Sequence, residues 1–251
     1  MLIDTHSHIL PGIDDGARTV EDSLDLIRAE LANGVNTIFL TPHFYPGRMH
    51  REEFFKRQEA GYEKLCRAVD EAGLPVELLL GAEVHFSPLL LKMDLDNFRM
   101  GDSDYLLIEL PMEMCPPNLT EMLSELTLRH YHLVMAHVER YPYLRDGKLL
   151  YEWAKLGYLS QVSVSSVLEN GTARSFVEAC IRHDLIHVMG SDAHSMAKRP
   201  PRMKEAICLM QKRVDTELLR RMNRFAQGIL ENRPLLPENP TPIRKKLWQY
   251  E

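Results

Sequence analysis

Long apolar runs are absent from this chain of 251 residues. No stretch approaches the roughly 20 consecutive apolar residues that a membrane-spanning helix needs. We also expect no signal peptide, because Asp4, His6 and His8 interrupt the start of the chain before a hydrophobic segment can form. These absences predict a cytoplasmic protein that does not insert into a membrane.

Cysteine is scarce, and the signatures of several enzyme classes are missing. The four cysteines form no CxxC pair, so we expect reduced, structural thiols: Cys66, Cys115, Cys180 and Cys208. Thiol phosphatases need an arginine six residues after the cysteine, and the residues there are Ala72, Glu121, Ile186 and Val214. The chain also has no Walker A, Gly-x-Gly-x-x-Gly or Gly-x-Ser-x-Gly motif. These chemistries are therefore not expected.

Positive charge is not in surplus. The chain has 30 lysines and arginines against 36 acidic residues, a formal net charge of −6, which argues against nucleic acid as a partner. A hydrophobic content of 45% and a charged content of 26% are typical of a globular domain. A single barrel commonly has about this length.

What the sequence does contain is a regular alternation of strand-like and helical stretches. Seven apolar runs have strand length: residues 2–4, 35–41, 76–83, 105–110, 132–137, 159–164 and 186–190. Amphipathic helices are predicted between them at 20–32, 52–72, 119–129, 149–155 and 174–183, and a last one from Asp215 to about Ile229. Alternating βα units predict an α/β fold with parallel strands and right-handed crossovers. A closed or nearly closed (β/α)7 barrel in a single domain is expected, with an open doubly wound sheet as the alternative.

Local signals define two ends of the predicted structure. Thr19, with Asp22 three residues later, predicts a capping box for the first helix, and Gly34 predicts its end. At the other end, four prolines precede the basic stretch 244–248, which also contains Trp248. We therefore predict a barrel over residues 1–230 and a Pro-rich basic tail over 231–251, lying loosely on the surface.

The first strand leads into a pair of histidines. His6 and His8 are two residues apart, so an extended backbone points both imidazoles to the same side. The following loop of Pro, Gly and two aspartates can bring Asp14 back to the same place. Two converging imidazoles and a carboxylate predict a metal site.

Most other predicted strands also end in a side chain that can bind metal. In a β/α barrel these carboxyl ends meet at one face, where active sites lie. Carboxylates and imidazoles gathered there would pay a large free-energy cost for mutual repulsion and lost hydration, and bound cations would offset that cost. Nitrogen and oxygen ligands without cysteine favour Mn²⁺, Fe²⁺ or Zn²⁺. The predicted ligands at the ends of the later strands are His43, Glu83, Glu109, His137, Asp192 and His194.

Two arginines stand next to this set. Arg140 follows His137 by three residues, and Arg199 follows His194 in a loop stiffened by two prolines. A guanidinium pairs with phosphate through two parallel hydrogen bonds, so arginines beside metals suggest a phosphoester substrate. Arg48, His50 and Lys198 are weaker candidates for the same rim.

These stretches resemble a known family. The segments 6–16, 105–109 and 191–194 with Arg199 and Pro200 resemble the bacterial capsular-polysaccharide tyrosine phosphatases of the CpsB and YwqE type, within the PHP superfamily. The resemblance spans essentially the whole chain. It implies a distorted PHP-type barrel with three divalent ions, manganese first, and hydrolysis of phosphotyrosine on the tail of a bacterial tyrosine kinase that controls capsule or exopolysaccharide synthesis. By the same analogy the chain self-associates.

The resemblance also implies a role for each site residue. His6, His8, Glu83 and Asp192 hold the first ion. Glu83 bridges to the second, which Glu109 and His137 complete. The third is held by Asp14, His43 and His194. Arg140 and Arg199 bind the phosphate, although Val138 stands where many members have proline, which leaves the direction of Arg140 open.

The chemistry expected of this set is attack by a metal-activated water on phosphorus. His194, Asp192 or solvent assists the departing phenolate. The alternatives are a small-molecule phosphoesterase such as histidinol phosphatase, a DNA-processing exonuclease, which the acidic net charge disfavours, and a non-catalytic metal-stabilised scaffold that binds the kinase tail.

Overall fold

Parallel strands in seven positions surround the centre of the computed structural model, which describes residues 2–246 and 249–250. Two of the positions are interrupted, so that one strand continues as a second short one. In chain order the strands are β1 (Leu2–Ser7), β2 (Val35–Leu40) continuing as β3 (His43–Phe44), β4 (Glu77–Leu80) continuing as β5 (Glu83–His85), β6 (Tyr105–Glu109), β7 (His132–Met135), β8 (Leu159–Ser163) and β9 (Val188–Gly190).

The strands form a closed but distorted ring. One sheet has the order β1-β2-β4 and the other the order β3-β5-β6-β7-β8-β9. The ring closes where Ser7 bridges Ala193 in parallel, with the His8 amide donating to the Ala193 carbonyl at 2.9 Å. The predicted seven-unit barrel is therefore confirmed. Its distortion lies between β4 and β6, where the Gly101 amide donates to the Leu80 carbonyl at 2.7 Å and the intervening loop takes the place of direct pairing.

Eight helices lie outside or below this ring in the described part of the chain. They are α1 (Val20–Ala32), α2 (Arg51–Glu71), α3 (Leu119–Thr127), α4 (Lys148–Lys155), α5 (Val164–Leu168), α6 (Thr172–Arg182), α7 (Met203–Met210) and α8 (Thr216–Leu230). The predicted capping box of α1 is present: the Thr19 hydroxyl accepts from the Asp22 amide at 3.1 Å, and the Asp22 carboxylate accepts from the Thr19 amide at 3.1 Å. Gly34 follows with φ +85°, as a terminating glycine requires.

Alternate residues of the strands enter two different cores. Val134 belongs to an inner cluster and Leu133 to the outer one, because successive side chains of a strand point to opposite faces. Phe225 and Ile229 of α8 join the inner cluster. Helix α8 therefore packs against the interior side chains of the barrel, next to β1 and β9. No helix in the described ranges is both long and apolar enough to cross a membrane.

The chain after α8 is held against the barrel, so the expectation of a loosely lying tail was wrong. The Asn232 side chain accepts from the Asp104 amide at 2.9 Å, and the Leu235 amide donates to the Tyr105 hydroxyl at 2.9 Å. Further along, the Thr241 amide donates to the His183 carbonyl at 3.0 Å. Buried Ile243 follows, and a short hairpin pairs residues 245–246 with 249–250. Met1, Leu247, Trp248 and Glu251 lie outside the described residues, and the barrel and tail division at residue 230 stays a prediction.

Candidate metal centre

The two ends of the barrel seam bring His6, His8 and Asp192 together. The Asp192 amide donates to the His6 carbonyl at 2.8 Å, and the His8 amide donates to the carbonyl of Ala193 at 2.9 Å. His6 and His8 Nε2 atoms lie 3.1 Å apart, as the i, i+2 spacing predicted. Asp192 Oδ1 is 3.4 Å from His8 Nε2 and 3.8 Å from His6 Nε2. These three side chains therefore face one point.

Glu83 is the centre of the cluster and is fully buried. Its Oε2 atom lies 3.3 Å from His6 Nε2, 3.3 Å from His8 Nε2 and 2.9 Å from His43 Nδ1. Its Oε1 atom lies 2.7 Å from His137 Nε2. Among the described residues, Glu83 Oε2 and His43 Nδ1 are buried yet make no hydrogen bond of acceptable geometry. Buried polar atoms are normally satisfied, so this arrangement fits a carboxylate that binds cations between itself and the imidazoles.

Glu109 extends the cluster on the side of β6. Its Oε1 is 4.0 Å from His137 Nε2, and its Oε2 is 3.9 Å from His43 Nδ1. The same Oε2 atom accepts a hydrogen bond from the His85 ring at 3.0 Å. His85 lies directly opposite Glu109 in the β5–β6 register. The ligand atoms of His43, Glu83 and Glu109 lie close enough to bind one ion.

Asp15, not Asp14, faces His43 and His194. Its Oδ1 lies 3.7 Å from His43 Nε2 and 3.6 Å from His194 Nε2. The Asp14 carboxylate is turned inward and is already bound at 2.7 Å to His8 Nδ1, at 3.0 Å to the His43 amide and at 3.0 Å to the Gly16 amide. The geometry therefore favours Asp15 over the predicted Asp14 for a cation between the two histidines, together with His8.

Outer hydrogen bonds fix the orientation of three imidazoles that the cluster uses through Nε2. His8 Nδ1 is bound by Asp14, His6 Nδ1 lies 3.3 Å from Gln161 Oε1, and His137 Nδ1 lies 3.2 Å from the Tyr141 hydroxyl. Such partners fix the ring tautomer and direct the other nitrogen toward a metal. Sequence reasoning missed Gln161 and Tyr141. Neither residue stands out in the sequence, because Gln161 lies in a strand that also contains Ser160 and Ser163, and Tyr141 is one of nine tyrosines.

Electrostatics keep the acids of the cluster charged. Burial alone would raise the pKa of Glu83, but the charges of His6 and His137 and the hydrogen bond from His137 hold it well below its usual range. Burial would likewise raise the pKa of Asp192, but a hydrogen bond from His8 and the charges of His6 and Arg140 lower it strongly. Burial would also raise the pKa of Asp14, but the charge of His8 outweighs this effect, and the pKa of Asp14 is lowered to about 2. All three carboxylates are therefore anionic at neutral pH.

Both predicted arginines reach the cluster, and both bind Asp192. Arg140 donates to Asp192 Oδ2 and, at 3.2 Å, to the Ser163 hydroxyl. Arg199 donates to both Asp192 oxygens at 3.0 Å. Val138 begins a short 3₁₀ turn that ends at Arg140, so the missing proline does not turn Arg140 away. The weaker candidates Arg48, His50 and Lys198 are exposed, and no contact within the described residues joins them to the cluster.

Two strand ends have a left-handed backbone. His137 has φ +32° and Asp192 has φ +53°, a region that side chains other than glycine seldom adopt. Such conformations persist where the surrounding contacts determine them and concentrate at functional sites. Both residues belong to the cluster.

Comparison with known proteins gives relatives along nearly the whole chain. The tyrosine-protein phosphatase YwqE of Bacillus subtilis is 30% identical over 256 residues, covering 99% of this chain and all of the relative. The tyrosine-protein phosphatase CpsB of Streptococcus pneumoniae is 29% identical and covers 84% of this chain and 90% of its own.

A solved structure and a family model agree with these relatives. A structure from crystallographic work on YwqE from Bacillus subtilis and CpsB from Streptococcus pneumoniae, described as unique metal-dependent tyrosine phosphatases, superposes with a TM-score of 0.88. It is 27% identical and covers 97% of this chain and all of that one. The model for capsular polysaccharide synthesis, CpsB/CapC, matches residues 2–230. The chain therefore belongs to the CpsB/CapC family.

Proposed function

We propose that this chain is a metal-dependent protein-tyrosine phosphatase. The observation that carries the proposal is the fully buried Glu83 carboxylate, whose two oxygens face four imidazoles at 2.7–3.3 Å without a complete set of hydrogen bonds. A carboxylate in that position fits divalent cations, and two arginines beside it fit a phosphate. The relatives named tyrosine-protein phosphatase support the same reaction.

The proposed ligand set holds three ions, with Mn²⁺ first and Fe²⁺ or Zn²⁺ as alternatives. The first lies among His6, His8, Glu83 and Asp192. The second lies among Glu83, Glu109 and His137. His43 and His194 hold the third, with Asp15 in place of Asp14, which serves instead to orient His8.

The charges of the site are compatible with three ions. Glu83, Glu109, Asp192, Asp14 and Asp15 contribute five negative charges, Arg140 and Arg199 contribute two positive charges, and a phosphotyrosine adds roughly 1.5 to 2 negative charges at neutral pH. Three divalent ions supply six positive charges, so the metals, the protein and the substrate cancel to within about one charge.

The chain's own residues bind and orient the substrate. When bound, divalent ions supply an activated water and Lewis-acid charge. Arg140 and Arg199 exchange their contacts with Asp192 for the equatorial oxygens of the phosphate and stabilise the charge that develops there. Asp192 and His194 are used as ligands, which leaves solvent to protonate the phenolate. Its conjugate acid has a pKa near 10, so it departs with little assistance.

The proposed substrate is the phosphotyrosine tail of a bacterial tyrosine kinase in the cytoplasm, within capsule or exopolysaccharide synthesis. The match to the capsular polysaccharide synthesis family supports this place.

A direct test combines metal analysis with turnover of a phosphotyrosine peptide in added Mn²⁺. We expect about three ions per chain and hydrolysis that a chelator abolishes. His8→Ala should remove turnover while circular dichroism shows a folded barrel. Preference for histidinol phosphate would indicate a small-molecule phosphatase, and cleavage of DNA would indicate a nuclease. Peptide binding without turnover in the metal-loaded protein would indicate a scaffold.

Arg140 offers a second test of the same site. Arg140→Ala should lower kcat/KM for a phosphotyrosine peptide by about 10- to 1000-fold, because it removes a bidentate phosphate contact. Arg48→Ala is the matched control, since Arg48 is exposed and outside the cluster. An unchanged kcat/KM in Arg140→Ala would remove this residue from the site.

A further inference from the structure

One edge of the metal centre is lined by the metal-binding ring of His43 and by two rings, those of Tyr45 and His85, that bind no metal in the proposed scheme. Tyr45 lies two residues after His43, in the turn that follows β3, and His85 ends β5. The Tyr45 ring centroid is 5.3 Å from that of His43 and 5.3 Å from that of His85. His43 in turn lies 4.5 Å from His8. We call the rings of His43, Tyr45 and His85 the aromatic row.

The aromatic row leads from the buried cluster toward solvent. The His43 side chain is 14% exposed and that of His85 is 32% exposed, and Tyr45 is half-buried between them. Beyond Tyr45, a side chain at Gly47 would meet Leu89 at 3.2 Å, so the turn after β3 contacts a leucine that is 47% exposed. The row therefore continues into an apolar edge at the surface.

The two sides of the mouth differ in chemistry. Arg140 and Arg199 approach Asp192 from the loops after β7 and β9, whereas the aromatic row rises from β3 and β5. The strand order places these pairs on different sides of the ring. A ligand with an anionic head and an aromatic body matches this arrangement, because the head meets cations and the body meets rings.

The Tyr45 ring is not held in place through its hydroxyl, which makes no hydrogen bond within the described residues. The ring is positioned instead by its contacts with His43 and His85.

We propose that Tyr45 is a specificity-determining residue whose ring receives the phenyl ring of the substrate, with His43 and His85 beside it. The inference rests on the proposed function and goes beyond it, because it assigns the discrimination of aryl from alkyl phosphates to one side chain. Offset or edge-to-face contact of two rings adds about a 2- to 10-fold preference beyond the area buried.

The test compares two non-hydrolysable anions, phenylphosphonate and methylphosphonate, by calorimetric titration of the full chain loaded with Mn²⁺. In Tyr45→Leu the affinity for phenylphosphonate should fall about 3- to 10-fold, while that for methylphosphonate changes less than 2-fold. Tyr45→Phe keeps the ring and should keep the preference. Tyr151→Leu, on the outer helix α4, is the matched control for loss of a tyrosine.

The outcomes separate this inference from the proposed function, since binding requires no turnover. A phenyl preference that depends on Tyr45 supports the inference even if no aryl phosphate is hydrolysed. An unchanged preference in Tyr45→Leu, an equal loss for both phosphonates, or no binding of either to the wild-type chain overturns it. Robust phosphotyrosine hydrolysis alongside any of these results would leave the proposed function standing alone.

Discussion

Two adjacent aspartates in one loop have different surroundings. Asp14 is turned inward to His8 and two backbone amides, and Asp15 is directed outward to His43 and His194. Gly16 makes this loop possible, because a side chain there would lie 2.1 Å from the His8 carbonyl oxygen. The sequence predicts a carboxylate from this loop but cannot say which, since either residue can point inward until the backbone is known.

Replacing each aspartate by asparagine should separate these roles. Asp15→Asn should lower the metal content by about one ion per chain and reduce kcat, because a neutral amide is a weaker ligand. Asp14→Asn should retain more of the third ion. It should chiefly lower the affinity for the first ion, by about 10- to 100-fold, because His8 is then less firmly oriented. Metal analysis after dialysis measures both, and the opposite order of losses would restore Asp14 as the ligand.

Glu30 and Asp4 form a second pair of acids, fully buried beside the cluster. Asp4 accepts from the Ser191 amide at 2.7 Å and hydroxyl at 2.6 Å, whereas neither oxygen of Glu30 has a hydrogen bond of normal geometry to a donor in the described part of the chain. Burial and the charge of Asp4 raise the pKa of Glu30 well above its ordinary value of 4.5. Glu30 therefore holds a proton that it can share with Asp4.

The pH dependence of stability tests this proton. Above pH 4.5 the unfolded chain loses the Glu30 proton and the native state keeps it. The free energy of unfolding therefore falls with rising pH, by about 1.4 kcal/mol per unit for one proton, up to the native pKa. Glu30→Gln keeps a donor for Asp4 and should lack this slope. Urea denaturation between about pH 5 and 8 measures the difference, and parallel curves for the two proteins would contradict it.

At the scale of elements, the seam between β1 and β9 controls the geometry of the first ion. A side chain at Gly190 would lie 2.5 Å from His6 Cβ and 2.7 Å from Gln161 Nε2. Gly190→Ala must therefore displace His6 or the glutamine that orients it. We expect at least a 10-fold loss of metal affinity with a folded barrel, measured by titration with Mn²⁺. Gly73→Ala tests backbone strain alone, because its added side chain meets nothing within 4 Å.

Most elements could be predicted because their sequence signals are local. Helix α1 begins and ends where its capping box and Gly34 indicate. Helices α5 and α7 were not predicted: α5 has only five residues directly after β8, and α7 follows the Pro-containing loop of the site. The strand-end histidines and acids were predictable as a group because parallel strands meet at one face. The roles of Gln161, Tyr141 and His85 were not predictable, because each depends on which side chain lies next to it in the folded barrel.

At the scale of the whole molecule, the C-terminal segment fastens the end of the barrel that lies away from the cluster. Asp184, itself buried and paired with Arg221 of α8 at 2.9 Å, accepts from the Asn239 amide at 2.8 Å. The Tyr105 hydroxyl of β6 donates a hydrogen bond to the Arg233 carbonyl and accepts one from the Leu235 amide. The prolines suggested a loose tail because this stretch contains no periodic apolar face, whereas the observed contacts are single hydrogen bonds and single apolar side chains at separated positions.

Removing residues 232–251 should therefore destabilise the protein. Loss of the bonds to Tyr105 and Asp184, with the apolar contacts of Leu235 and Ile243, should lower the melting temperature by several degrees. Metal affinity should change little, because the cluster lies at the other ends of the strands. Differential scanning calorimetry and Mn²⁺ titration measure the two, and an unchanged melting temperature would contradict the role of the segment.

The seam that closes the barrel joins residue 7 to residue 193. During synthesis, the imidazoles of His6 and His8 must wait until residue 192 has been translated before the Asp192 carboxylate can join them. A nascent chain truncated before Ser191 lacks this closure and cannot assemble the full ion-binding set. Enzymatic competence should thus appear abruptly and late in synthesis, rather than growing with each added βα unit.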